Sequence, residues 1–302
     1  MQAWIKSFRL QFLPQGVMPV LLGTAIAWRY EGYLNLTYFL LAFVGSACVQ
    51  IGLTMLNDTL DYVYGTDQSR SEEKNPFSGG SGVLADSLIK PQEMFMVIGA
   101  LYLVALSVAL YLTPRVGSGV MYFALLGFFL SVFYSLKPLR LAYHGLGELA
   151  MFIGYGPTIT LGAYYVQTGK VTLPSAMAGV VPGLLMWAMI IVNEIPDYEE
   201  DFRAAKRNIV VRWGLDFGRK LYALSLLSLY IFITTGVLLG LFPSWTLLTF
   251  GSLYFAVRSI RHLNRYYNDR FKVARANLDM VKTYSSTMLL LTLGFLLDLK
   301  LS

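Results

Sequence analysis

Charge is scarce in this chain. Only 14% of its 302 residues are Asp, Glu, Lys or Arg, against roughly 25% in a soluble domain. Cys48 is the single cysteine, and His144 and His262 are the only histidines. An intrachain disulfide is therefore impossible, and no Cys/His set exists to hold zinc. No Gly-Lys-Ser/Thr follows the glycines of Phe77-Ser78-Gly79-Gly80-Ser81-Gly82-Val83-Leu84, so this stretch is not a Walker loop. It reads as a lid or as a plain loop. Nothing ahead of Leu10 has the form of a cleavable signal. Trp4-Ile5-Lys6-Ser7-Phe8-Arg9 reads as an amphipathic, interfacial lead-in.

Apolar residues take the place of the missing charge. They make up 56% of the chain, and the mean hydropathy is +0.55. Charge-free runs occupy 10–28, 32–57, 94–114, 116–136, 149–169, 171–193, 221–257 and 283–297, together 183 residues. A bilayer crossing needs about 20 mostly apolar residues. The runs are continuously apolar and do not alternate, which excludes a β-barrel. The 37-residue run 221–257 is too long for one crossing, and Leu241-Phe242-Pro243-Ser244-Trp245 forms a turn-like break inside it. Splitting there predicts helices near 218–240 and 244–262. In the last helix Asp279 and Lys282 occupy the first turns, at the interface or facing the bundle. The expectation is an all-α polytopic membrane protein, one domain over 1–302, with nine transmembrane helices around a central cavity.

The basic residues are lopsided. Nineteen fall on the N-terminus and on the 2–3, 4–5, 6–7 and 8–9 connections, and four fall on the other side. That asymmetry predicts a cell-membrane protein with the basic face in the cytoplasm. Topology and anionic lipid explain most of these residues, above all Arg258 to Arg275, and no nucleic-acid partner is implied.

The acids cluster twice on that basic face. Asn57-Asp58-Thr59-Leu60-Asp61 leads on to Asp67 after helix 2, and Asn193-Glu194-Ile195-Pro196-Asp197 leads on to Asp201 after helix 6. Each opens with Asn-x3-Asp, an amide and a carboxylate one turn apart on one helix face. Asp58 and Asp61 are i,i+3; Asp197 and Asp201 are i,i+4. Like charges at these spacings repel, and a helix C-terminus adds partial negative charge. A counter-ion with oxygen ligands is implied, and Mg²⁺ fits best. The matched placement suggests an internal duplication into four-helix halves, 1–4 and 5–8. Arg70 and Lys74 follow the first cluster, and Arg203, Lys206, Arg207 and Arg212 follow the second. Acids for Mg²⁺ beside bases for phosphate oxygens describe a diphosphate site. The two motif loops, 57–91 and 193–219, are expected to form a cytoplasmic cap over it.

At these residues the chain resembles the UbiA superfamily of intramembrane aromatic prenyltransferases over nearly its whole length. Many relatives place a third acid where this chain has Gly65; here Asp67 follows instead. That spacing is similar to the 1,4-dihydroxy-2-naphthoate polyprenyltransferase branch of menaquinone synthesis. So are Asn193-Glu194-Ile195-Pro196-Asp197, Lys206-Arg207-Asn208-Ile209-Val210-Val211-Arg212-Trp213-Gly214 and Gly145-Leu146-Gly147-Glu148. The resemblance implies Asp58, Asp61, Asp67, Asp197 and Asp201 as ligands of two Mg²⁺ ions, with Asn57 and Asn193 orienting metal or diphosphate. It implies Arg70, Lys74, Lys137, Arg140 and Lys206 as contacts of a polyprenyl diphosphate, geranylgeranyl or longer. Asp61, Asp197 and Lys137 would serve the chemistry itself. Tyr134 reads as a π-face beside an allylic cation or as an interfacial tyrosine. Glu148 reads as a base or ring contact, or as a carboxylate paired with Arg140 or Lys137; His144 reads as a loop hydrogen-bonder. The rival acceptor is a geranylgeranylglyceryl phosphate, giving an ether lipid, and other quinone rings share much of the pattern. A transporter would put its acids in mid-span, and a lipid-binding scaffold would not need two metal-spaced motifs.

Overall fold

The computed structural model describes residues 2–66 and 80–299. The described residues are helical and contain no strand. In chain order the α-helices are α1 (Gln2–Phe8), α2 (Leu13–Glu31), α3 (Leu36–Val63), α4 (Pro91–Val116) and α5 (Gly119–Phe133). They continue with α6 (Gly147–Ile153), α7 (Ile159–Thr168), α8 (Leu173–Glu194), α9 (Tyr198–Arg203) and α10 (Ile209–Trp213). The last are α11 (Leu215–Leu238), α12 (Leu253–Tyr266) and α13 (Ala274–Leu297). Six spans among the described residues are long and apolar enough to cross a membrane: α1–α2 taken together, α3, α4, α8, α11 and α13. α5 is a shorter apolar helix, and α6 and α7 are joined by a π-helical turn at Gly154–Thr158. Leu103, Tyr122, Leu227 and Leu238 stand exposed on outward faces, as lipid-facing side chains do. This is a multi-pass membrane protein.

Local sequence sets the helix ends. The Asn35 side chain accepts from Tyr38 N–H at 3.0 Å to open α3, and Thr172 with Ser175 caps α8. Pro157 lacks an N–H, so the regular ladder cannot run through it, and the backbone widens into the π turn. α2 and α8 carry much of the core, with Leu22, Ile26, Val181, Leu185 and Ile191 fully buried.

The break in run 221–257 falls where Pro243 sits, since α11 ends at Leu238 and the next element starts at Ser244. The expected single helix over 244–262 is corrected: Ser244–Ser252 is a 3-10 helix before α12 begins. Its hydroxyls explain this. Thr246 bonds back to Pro243 O at 2.7 Å, Thr249 to Thr246 O at 2.7 Å, and Ser252 to Thr249 O at 2.6 Å, all at i−3. Arg258 also departs from its expected lipid role, because its Nε donates to buried Asp279 Oδ2 at 2.7 Å. Asp279 therefore faces the bundle.

Helices α2 and α7 cross in backbone contact. A Cβ on Gly23 would lie 2.2 Å from the Thr160 carbonyl oxygen. Gly23→Ala is expected to force the pair apart and cost about 1–3 kcal/mol, read as a lowered Tm in detergent. An unchanged Tm would mean the crossing yields freely.

Candidate active site

The C-terminal ends of α3 and α8 converge on one polar chamber. On α3, Gln50, Thr54, Asn57 and Asp61 follow one another at spacings of four, three and four, a single helical stripe, and all four line it. From α8 and the turn after it come Met186, Met189, Ile190, Asn193, Glu194 and Asp197, and from α9 Glu200 and Asp201. Both sequence motifs therefore meet at one site.

Several of the polar side chains are held by hydrogen bonds to their neighbours. Tyr143 donates to Asp61 Oδ1 at 2.7 Å, and Asn57 Nδ2 reaches Asp61 Oδ2 at 3.2 Å. Ser135 donates to Asn57 Oδ1 at 2.7 Å. Asn277 of α13 donates to Asn193 Oδ1 at 2.7 Å. Asn208 donates to Asp201 Oδ2 at 2.7 Å, and the Lys206 ammonium lies 3.2 Å from Asp201 Oδ1. Burial alone would draw the Lys206 ammonium down, but Asp201, Asp61 and Asp197 around it hold it well above an ordinary lysine. It stays charged throughout the physiological range. Burial first, then the neighbouring Asp61 charge, pushes the Tyr143 phenol up to about 12, so it remains a donor there. Burial also lifts Asp201 above an ordinary aspartate, with Lys206 opposing.

The sequence-based assignments divide on this geometry. Asp61, Asp197, Asp201, Asn57, Asn193, Lys206 and Tyr134 all line the chamber. Asp58 does not, because its carboxylate is taken by the Ser81 N–H at 3.1 Å and the Ser81 hydroxyl. Three residues advance a helix by about 300°, so Asp58 sits 60° or so off Asp61, on the side facing Ser81. Lys137 and Arg140 line neither cavity. Both stand over the Tyr64 ring, at 5.1 and 4.6 Å, and Arg140 also stacks on Tyr143 at 3.4 Å. Glu148 is fully buried and accepts from Ile209 N–H at 2.6 Å, a contact with the first turn of α10 and not with Arg140 or Lys137. Asp67, Arg70 and Lys74 lie outside the described residues, as does Phe77 to Gly79 of the glycine-rich stretch. Glu200, outside the Asp-x3-Asp pair, also lines the chamber and pairs with Arg270 at 3.0 Å.

Below the chamber lies an apolar cavity of about 630 Å³ between α3, α4, α5 and α7. Gln50, Leu53, Tyr134, Met151 and Tyr155 line both spaces and form a neck between them. The π turn carries Tyr155 into this neck, where its hydroxyl donates to Gln50 Oε1 at 2.5 Å.

The carboxylate and amide oxygens of Asp61, Asp197, Asp201, Asn57 and Asn193 are the donor type that a hard cation takes. Among the described residues no three His, Cys, Asp or Glu side chains are drawn together as a closed cage.

In this helical membrane bundle a chamber of acids and a lysine shares a wall with an apolar cavity, surroundings that suit an amphiphile with a charged head. The chain belongs to the UbiA prenyltransferase family, whose profile matches residues 16–280, and it is a prenyltransferase enzyme. It is 26% identical over 295 residues to a 2-carboxy-1,4-naphthoquinone phytyltransferase of Synechocystis sp., covering 97% of this chain and 92% of that one. It is 26% identical over 249 residues to a 1,4-dihydroxy-2-naphthoate octaprenyltransferase of Bacillus subtilis, covering 82% and 78%. The structure of a UbiA homolog from Archaeoglobus fulgidus bound to DMAPP and Mg²⁺ shares the fold, with a TM-score of 0.60 at 14% identity over 94% of this chain and 98% of that one.

Proposed function

We propose that this enzyme transfers a prenyl group from a polyprenyl diphosphate, geranylgeranyl or longer, to 1,4-dihydroxy-2-naphthoate in a Mg²⁺-dependent reaction. The observation that carries the reading is the neck, where five residues line both the chamber of acids and Lys206 and the apolar cavity beside it. The naphthoquinone and naphthoate substrates in the relatives' names support the acceptor, and the homolog bound to DMAPP and Mg²⁺ supports donor and metal.

In this reading Asp61, Asp197 and Asp201, with Asn57 and Asn193, would hold two Mg²⁺ ions between them; Asp67, a further proposed ligand, lies outside the described residues. Mg²⁺, when bound, offsets the charge that gathers on the departing diphosphate. The Lys206 ammonium adds to that stabilisation from a fixed position. Tyr143 and Asn57 keep Asp61 oriented. The C–O bond to diphosphate breaks at the neck, and the Tyr134 ring faces the allylic cation. Apolar walls exclude water while the ring carbon forms its new C–C bond and the ring carboxylate leaves as CO₂. The chain is one domain over 1–302 with nine crossings in duplicated halves. The described parts of the two motif segments, 57–66, 80–91 and 193–219, cap the chamber on the cytoplasmic side of the cell membrane, as the basic asymmetry supports.

The test is a radiolabelled geranylgeranyl diphosphate assay in membranes, with dihydroxynaphthoate, 4-hydroxybenzoate and geranylgeranylglyceryl phosphate offered in parallel. Naphthoate product is expected. Turnover should vanish with EDTA and return with Mg²⁺ or Mn²⁺. Preference for the glyceryl phosphate would overturn the acceptor, and full activity without metal would overturn the ion.

A further inference from the structure

One side chain of the chamber is polar without a polar partner. Gln15, at the start of α2, is 2% exposed, and neither its Oε1 nor its Nε2 has a hydrogen-bond partner among the described residues. A buried, unmade amide is costly, and a helix in an apolar bundle has every reason to carry Leu or Met there. Its neighbourhood suggests what the amide is for. Gln15 lines the chamber together with Phe12, Met186, Met189 and Ile190, and none of these five lines the apolar cavity. This part of the chamber is a slot lined by a phenyl ring and polarisable thioethers, surfaces that suit a flat aromatic face.

We infer that Gln15 is the specificity-determining residue for the aromatic acceptor, its amide reading the polar edge of a ring that lies in the slot of Phe12, Met186 and Met189. A carboxamide presents one donor and one acceptor side by side. Its complement is a group with an acceptor and a donor side by side, namely a carboxylate next to a hydroxyl on an aryl ring. The N–H of Gln15 donates to the carboxylate, and its carbonyl accepts from the hydroxyl. Arg9, over the Phe12 ring at 4.6 Å, lines the same wall and favours a negative charge there. The inference rests on the prenyl-transfer reading of this site and adds which residue selects the acceptor.

The test uses the full-length protein in detergent with Gln15→Met, which keeps the size and removes both polar atoms. Three quantities are read: KM for each substrate, the preference for 1,4-dihydroxy-2-naphthoate over naphthalene-1,4-diol, and Tm with and without acceptor. In the variant the acceptor KM should rise about 10- to 100-fold, the KM for geranylgeranyl diphosphate should stay within about twofold, and the preference for the carboxylated ring should fall toward unity. The ligand-free Tm should rise, because an unsatisfied amide has been removed. An unchanged acceptor KM and preference, or an equal rise in both KM values, would overturn the assignment. Should the wild type turn over no acceptor, the prenyl-transfer reading fails on its own. The acceptor-induced Tm shift then judges Gln15: a shift in wild type lost in Gln15→Met supports it, and equal shifts or none in either protein refute it.

Discussion

Asp61→Asn and Asp197→Asn are each expected to lower prenyl-transfer turnover by on the order of 10²–10³, with Tm nearly unchanged. Asparagine keeps the size and hydrogen-bonding reach but removes a charged ligand from the wall of the chamber. Losing about 3–4 kcal/mol of charge stabilisation in the transition state gives that factor. Glu199→Gln is the control. Glu199 is exposed and its ion pair with Arg203 is 4.0 Å long, so removing its charge should cost little. Glu200 is unsuitable as a control, since it lines the site. A merely acidic, solvated loop predicts similar small effects at all three positions. Near-wild-type turnover in either asparagine variant would remove that acid from the mechanism.

Lys206→Met should be as damaging, and it should destabilise as well. The substitution deletes the cation facing the diphosphate and strands Asp201, which is 4% exposed, opposite Asp61 and Asp197. Breaking a buried pair from one side costs about 3 kcal/mol, and the turnover loss should reach on the order of 10². The sign of the pH dependence follows from the raised lysine. Its contribution is complete below the unfolded lysine value of about 10.4 and is lost only above the folded one. Between about pH 6 and 9 the Tm difference from wild type should therefore carry no slope from this residue. Adding Asp201→Asn to Lys206→Met should recover stability by removing the stranded charge, without recovering turnover. Recovery of both would make Lys206 a structural cation only.

The first Asn-x3-Asp pattern was legible because residues four apart share a helix face, whereas in the second α8 ends at Glu194 and Asp197 reaches the chamber from the turn after it. Asp58 was misread by the same logic applied one step too loosely: an i,i+3 offset left room for Ser81 to claim it. What holds the acids in place was not legible. Tyr143, Ser135, Asn208 and Asn277 reach their partners across 82, 78, 7 and 84 residues, and no local spacing announces contacts set by tertiary packing. Glu148 carried a visible charge in an apolar context, yet the backbone N–H it serves belongs to a helix 61 residues away. Arg258 looked like one more basic residue on a basic face until α13 supplied Asp279. The break at Pro243 was visible, whereas the 3-10 winding after it depended on which carbonyls the Thr and Ser hydroxyls chose. Gln15 gave no signal at all, since a glutamine near a helix start is unremarkable until its amide is seen to have no partner among the described residues.

The wall of the apolar cavity has a further consequence. Leu103, Leu106, Leu125 and Phe128 line it and are themselves exposed, so no other helix closes over its wall on α4 and α5. Under the proposed reaction an amphiphile enters and is cut into two molecules with opposite solubilities. Diphosphate belongs to water, and the prenylated ring, having lost its anionic head, belongs to the bilayer, with about 0.8 kcal/mol for every methylene it keeps out of water. The two departures need not share a door or wait for each other. A hydrocarbon of any length can slide sideways into lipid without the protein enclosing all of it, so this wall acts as a shoreline and sets no upper limit on tail length.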